Sequence, residues 1–187
     1  MTDTKRDRLL DCAASLFREH GFRATGIDRI LAASGCAKMT LYNHFRSKED
    51  LILACVERVD ARWREGIVAR LEARAPTPRE RLLAVFDLAS ELIADETFCG
   101  CFFVRAASEF RDPTDPVREV AAANKRRFVD YLSGLAEEAG ARQPDMLAKS
   151  LAMLLEGALA YAHVTGDCEA PALARRNAEL LLAHHAV

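Results

Sequence analysis

Proline and glycine cut the chain into stretches that carry apolar residues at helical spacing. None shows the sustained two-residue alternation with β-branched enrichment that a strand requires. The reading is all-α, with about nine helices. The first runs from about Lys5 to His20 with Leu9, Leu10, Ala13, Leu16 and Phe17 on one stripe, and Gly21 supplies a left-handed end with Phe22 folding back. Thr25 with Asp28 is a capping box, so a second helix is expected from Gly26 to Gly35, a third from about Ala37 to Phe45, and a long fourth from the Ser47/Asp50 cap to about Arg74.

Pro76 and Pro78 close that segment, and Thr77-Pro78-Arg79-Glu80 opens a fifth helix with an N-cap, a proline at N1 and a glutamate at N3. A sixth helix is expected from about Cys99 to Phe110, before the pairs Asp112-Pro113 and Asp115-Pro116 force an irregular connection. Three more follow, from about Pro116 to Ala139, Pro144 to Thr165 and Pro171 to His184. The eighth is apolar nearly all round, so more than one of its sides needs a cover.

This punctuation suggests an N-terminal helix-turn-helix domain over residues 1–50 and a helical body over 51–187. Charge follows the same division weakly: the first fifty residues carry a net +2 and the rest −4, within a total of −2. Such a balance permits nucleic-acid binding by the head without requiring it. No run approaches the roughly 18 uninterrupted apolar residues of a membrane helix, and the charged N-terminus lacks an apolar segment of secretory type. A cytoplasmic protein with no membrane partner is expected.

The stretch Thr25 to Lys48 has the pattern of a DNA reader. A helix that enters the major groove needs one packed face and one free face, and Leu41 with Phe45, at i and i+4, supplies the packed one. Lys38, Tyr42, His44 and Lys48 can then donate to phosphate oxygens. Thr25 places a hydroxyl and the positive end of the second helix where a phosphate could sit. Thr40 and Asn43 can hydrogen-bond to base edges, and Met39 can contact a thymine methyl. Short amphipathic helices with polar outer faces also serve in protein contacts, so periodicity leaves both uses open.

From Gly21 to Leu51 the chain resembles the N-terminal domain of the tetracycline-repressor (TetR/AcrR) family of bacterial regulators. The matching features are Gly21-Phe22, Thr25, Ile30, the Ser34-Gly35 turn and T-L-Y-x-H-F-x-S-K-E from Thr40 to Glu49. The resemblance implies an all-helical homodimer, usually a repressor, released from a palindromic DNA operator when a small-molecule inducer binds the body. It assigns Thr25, Tyr42, His44 and Lys48 to phosphate contact and the stretch Lys38 to Asn43, with Lys38, Met39, Thr40 and Asn43, to base readout. Ala37 stands where the family often has a capping serine, Met39 where glycine or proline is usual, and Gly26 where serine or threonine is common.

For the body, Phe86, Phe102, Phe103, Phe128 and Tyr131 could line a ligand cavity, with Asn124, Glu156 and His163 as its polar groups. Glu156 and His163, seven apart on one helical face, could equally pair with each other or with a partner subunit. Met153, Gly157, Ala160 and Val164, with Leu173, Asn177, Leu180 and Leu181, form the expected dimer face.

Six cysteines in a chain of this type are expected to be free thiols. Cys12, Cys36 and Cys55 read as small core residues, whereas Cys99-x-Cys101 reads as structural, as a redox or electrophile sensor, or less readily as metal ligands. Neither a metal nor a cofactor is expected. An enzyme is the competing reading, but G-x-S-x-G, H-E-x-x-H and P-loop motifs are all absent. A helical scaffold that uses its small-residue face is a third.

Overall fold

The computed structural model describes residues 4–186. Nine helices are found among them: α1 (Lys5–His20), α2 (Ile27–Ser34), α3 (Lys38–His44), α4 (Lys48–Arg74), α5 (Pro78–Ala94), α6 (Phe102–Glu109), α7 (Pro116–Glu138), α8 (Pro144–Thr165) and α9 (Ala170–His184). The expected helix ends hold to within a residue or two except at α6, which starts at Phe102 instead of Cys99. Gly100 has a φ of +87°, which no α-helix can pass through.

Local chemistry explains most starts. Thr4 and Asp7 cap α1 reciprocally: Asp7 N donates to the Thr4 hydroxyl, and Thr4 N donates to the Asp7 carboxylate. Thr77 and Glu80 do the same for α5, with Pro78 at the first helical position. The expected Ser47/Asp50 box is half formed. Asp50 N donates to Ser47 Oγ at 3.1 Å, but the Asp50 carboxylate accepts from Arg46 N.

The chain divides into two compact units, one built from the chain up to Arg64 with Phe102–Ala123, the other from Glu65–Cys101 with residues from Asn124 on. In the first, α2 and α3 pack on α1 around Leu9, Leu10, Phe17, Phe22, Ile30, Leu41 and Phe45, with Leu51, Cys55 and Val56 of α4. Phe22 stacks on Phe17 at 5.1 Å and meets Phe102 at 5.1 Å and Phe110 at 5.8 Å. The α6 helix thereby belongs to the first unit by packing, although residues 65–101 of the second unit separate it from the rest in sequence.

Arg58 on α4 pairs with Asp7 and Asp11 on α1, and Arg62 adds a second contact to Asp11 at 2.6 Å. The Thr4 hydroxyl and the Arg58 guanidinium pull the Asp7 pKa down to about 2. A carboxylate depressed in the folded state stabilises the protein above its ordinary range and loses that contribution as pH falls through the folded value. Asp7→Asn should therefore flatten the stability profile between about pH 4 and 2, measured by denaturant titration at several pH values. An identical acid limb in wild type and variant would contradict this.

In the second unit α5, α8 and α9 pack on one another, with Leu82, Phe86, Leu132, Leu147, Leu151, Ala178 and Leu182 buried. Arg175 of α9 reaches Asp87 of α5 at 3.1 Å. The α8 helix buries Leu147, Leu151, Leu155, Ala158 and Ala162 on one side and leaves Met153 and Val164 bare on the other, at 68% and 82% exposure. On α9, Leu173 and Leu180 are likewise exposed.

Candidate nucleic-acid interface

The helix-turn-helix element is assembled around Gly35. Its left-handed backbone (φ +65°, ψ +17°) ends α2, with its N–H donating to the Leu31 carbonyl, and sends the chain into α3 within three residues. Ile30 and Ser34 anchor α2, and Leu41 and Phe45 anchor α3, so only the inner face of α3 is buried. Arg6 lies over the Phe45 ring at 5.4 Å and closes that contact from α1. Neither helix has a side-chain cap: Gly26 and Ala37 occupy the two N-cap positions.

On the outer face Lys38, Met39, Tyr42, Asn43 and His44 are exposed, and Thr40 is half-buried. Met39 is 72% exposed, a large apolar side chain held in water by a seven-residue helix. Lys48, in the first turn of α4, donates to the Arg23 carbonyl at 2.9 Å, which holds its ammonium beside the connection between α1 and α2.

Thr25 is where the sequence reading needs correction. Its side chain is fully buried at 0% exposure, and its hydroxyl donates inward to the Gly21 carbonyl at 2.7 Å. It neither caps α2 nor presents a hydroxyl to a phosphate, because the only proton it can donate is spent on the backbone turn behind it. Thr25 shapes the connection between the helices.

That connection also depends on a residue the sequence reading missed. Glu109, the last residue of α6, accepts from Phe22 N at 3.0 Å and from Arg23 N at 2.8 Å, one carboxylate oxygen each. Gly21, with φ +88° and ψ +163°, is not left-handed helical as expected. A Cβ there would lie 2.8 Å from Glu109 Oε1. Glycine is needed at this position for both backbone and space. The separation of nearly ninety residues hid Glu109 from any local pattern.

The candidate ligand residues separate. Phe102 and Phe103 lie in the first unit, and Phe102 packs on Phe22 with Arg18 over its ring at 5.7 Å, so its side chain serves the head and not a cavity in the body. Phe86, Asn124, Phe128, Tyr131, Glu156 and His163 belong to the second unit. Phe86, Asn124 and Phe128 are buried, and the Tyr131 hydroxyl is buried with no hydrogen-bond partner, its pKa pushed up by that burial.

Glu156 does not pair with His163. It accepts from Lys125 of α7 at 2.5 Å, while His163 is exposed and stands edge-on to Phe98 at 6.0 Å. Lys125 was missed because a lysine next to the buried Asn124 reads as the edge of an apolar stripe. Among the described residues no group of His, Cys, Asp or Glu is placed to hold a metal ion, and no helix is long and apolar enough to cross a membrane.

Three head helices with the third bare on its outer face, joined to a wholly helical body, define a helix-turn-helix regulator. Residues 9–55 match the model for bacterial regulatory proteins of the tetR family, and residues 78–178 match that for the tetracyclin repressor-like C-terminal domain. The chain belongs to the TetR family. A solved TetR-family transcriptional regulator from Streptomyces coelicolor superposes with a TM-score of 0.90 at 30% identity, covering 98% of this chain and 96% of that one.

Among curated relatives, an uncharacterized HTH-type transcriptional regulator of Mycobacterium tuberculosis is 30% identical over 70% of this chain. The match spans 64% of that relative, just under two thirds of its length. The HTH-type transcriptional repressor NemR of Escherichia coli is 26% identical over 71% of this chain and 67% of its own.

Proposed function

We propose that the protein is a homodimeric, ligand-responsive repressor that binds a palindromic DNA operator through α3 and is released by a small-molecule inducer held in the second unit. The observation that carries this reading is the division of α3: Leu41 and Phe45 are buried while Lys38, Met39, Tyr42, Asn43 and His44 stand free in one contiguous row. Tyr42, His44 and Lys48 form the proposed phosphate set, and Lys38, Met39, Thr40 and Asn43 the base-reading set. The work is binding, not catalysis, and it takes place in the cytoplasm.

A mobility-shift titration with DNA from upstream of the protein's own coding region tests this. Log affinity should fall linearly with log salt. Lys48→Ala should weaken binding to all sequences alike and reduce the salt slope by about one. Met39→Ala should instead change the preferred sequence and leave the slope intact. No salt-dependent shift with any such fragment would exclude the reading.

The bare rows on α8 and α9 are the proposed dimer face, in which Met153, Gly157, Ala160 and Val164 meet Leu173, Asn177, Leu180 and Leu181 of a second copy. A twofold interface repeats every substitution, so Leu180→Glu, at a site 71% exposed in one chain, puts two carboxylates into the contact. Dimer dissociation should rise by about a thousandfold, each factor of ten being about 1.4 kcal/mol. Sedimentation velocity at micromolar protein should then show a monomer, and an unchanged dimer would place the interface elsewhere.

For the inducer, Asn124 and the unpartnered Tyr131 hydroxyl are the polar groups proposed to orient a ligand among Phe86 and Phe128. A rise in melting temperature against a panel of small aromatic and aliphatic metabolites would find the ligand. Asn124→Ala should weaken it without altering operator affinity. The ligand acts by its higher affinity for a dimer whose heads no longer match the half-site spacing.

A further inference from the structure

The turn between α1 and α2 is held at one residue from several directions. Phe22 N and Arg23 N donate to the two carboxylate oxygens of Glu109, at 3.0 and 2.8 Å. On the other side of the Arg23 α-carbon, the Arg23 carbonyl accepts from Lys48 Nζ at 2.9 Å. Phe110, the residue after Glu109, grips the same arginine by its side chain, with the guanidinium 5.8 Å from the ring centroid. Arg23 is thereby fixed at its amide, its carbonyl and its guanidinium, and all of these contacts fall within the first unit.

Lys48 depends on that carbonyl for physical reasons. It is the first residue of α4, where the positive end of the helix disfavours an ammonium. A free four-carbon side chain has many rotamers, and fixing it at a phosphate costs the entropy of all of them. One N–H given to the Arg23 carbonyl orders the side chain in advance and leaves its other donors for a phosphate. The carbonyl can serve in this way only while Arg23 keeps its place. Thr25 donates within the turn to the Gly21 carbonyl, whereas the partner of Phe22 N and Arg23 N comes from α6.

Resting on the reading of Lys48 as a phosphate contact, we infer that Glu109 is a positioning residue for DNA binding, which holds the Arg23 main chain that orders the Lys48 ammonium. The sign of its effect sets this role apart. A carboxylate in a DNA-binding unit repels phosphate, so removal of its charge would tighten binding if charge were its only influence. Loss of a positioning carboxylate weakens binding instead, because Lys48 is released.

The test measures affinity for upstream DNA by mobility shift across a salt series, on the full chain, with the active fraction set by stoichiometric titration. Wild type, Glu109→Gln, Lys48→Ala and the double variant are compared. Glutamine keeps the size of the side chain but has one acceptor oxygen for two N–H groups. Glu109→Gln should bind roughly three- to tenfold more weakly at about 0.1 M salt, and its salt slope should fall toward that of Lys48→Ala, by up to about one. In the Lys48→Ala background the same substitution should change neither quantity. Should Glu109→Gln fail to fold, Glu109→Asp takes its place with the same expectations, since it keeps the charge but is one methylene shorter.

Tighter or unchanged binding by Glu109→Gln would overturn the assignment. So would an equal loss with and without Lys48, which is the mark of a general weakening of the head. If Lys48→Ala lowers the slope and neither Glu109 variant does, Glu109 is misassigned and the phosphate reading of Lys48 stands. If Lys48→Ala keeps the wild-type slope, Lys48 touches no phosphate and both assignments fall.

Discussion

Phe22→Ala should cost the first unit about 3–5 kcal/mol, the range for removing a fully buried phenylalanine. The ring is completely enclosed, and its three aromatic neighbours come from α1 (Phe17), the start of α6 (Phe102) and the residue just after α6 (Phe110). Truncation therefore opens a cavity between α1 and both ends of α6, and such a site cannot collapse by moving one side chain. Arg18 and Arg23, whose guanidinium groups cover Phe102 and Phe110, would be drawn into the rearrangement. Chemical denaturation should show the loss, and operator binding should weaken with it. A cost below about 1 kcal/mol would mean that the ring cluster contributes little to the head.

Gly21→Ala is the second large effect. The backbone at φ +88°, ψ +163° belongs to a region almost closed to other residues, and occupying it costs about 1–3 kcal/mol. A methyl group would also meet Glu109 Oε1 at 2.8 Å, so the carboxylate would have to leave Phe22 N and Arg23 N. The two causes separate in a double-mutant cycle with Glu109→Ala. Backbone strain persists in the double variant, whereas the clash disappears, so the double variant should be more stable than the sum of the single losses predicts. Strict additivity would show that the carboxylate does not bear on Gly21.

Much of this was legible in the chain because helix ends are written locally. A cap, a proline at N1 or a glycine after the last turn acts across one to four residues. The starts at Lys5, Pro78, Pro116 and Pro144 and the stop before Gly166 accordingly stood where those residues placed them. The inner face of α3 was legible for the same reason, since Leu41 and Phe45 are one helical turn apart. Glu109 and Lys125 were not legible. Their partners lie 86 and 87 residues away for Glu109, and 24 and 31 residues away for Lys125. Charged residues on amphipathic helices give no sign of which distant group they will meet.

By itself, then, the sequence determined an all-helical chain, the positions of its helix ends apart from the start of α6, the packed and free faces of α3, and its family. Only the tertiary structure decided that the Thr25 hydroxyl turns inward to the Gly21 carbonyl, that Phe102 packs on Phe22, that Cys101 lies outside α6 beside an ammonium, and that Glu109 clasps the turn after α1. The physical reason is one of range. Helix ends and faces follow from contacts within a single turn, whereas the partner of a hydroxyl, a ring or a carboxylate depends on which segments folding brings together.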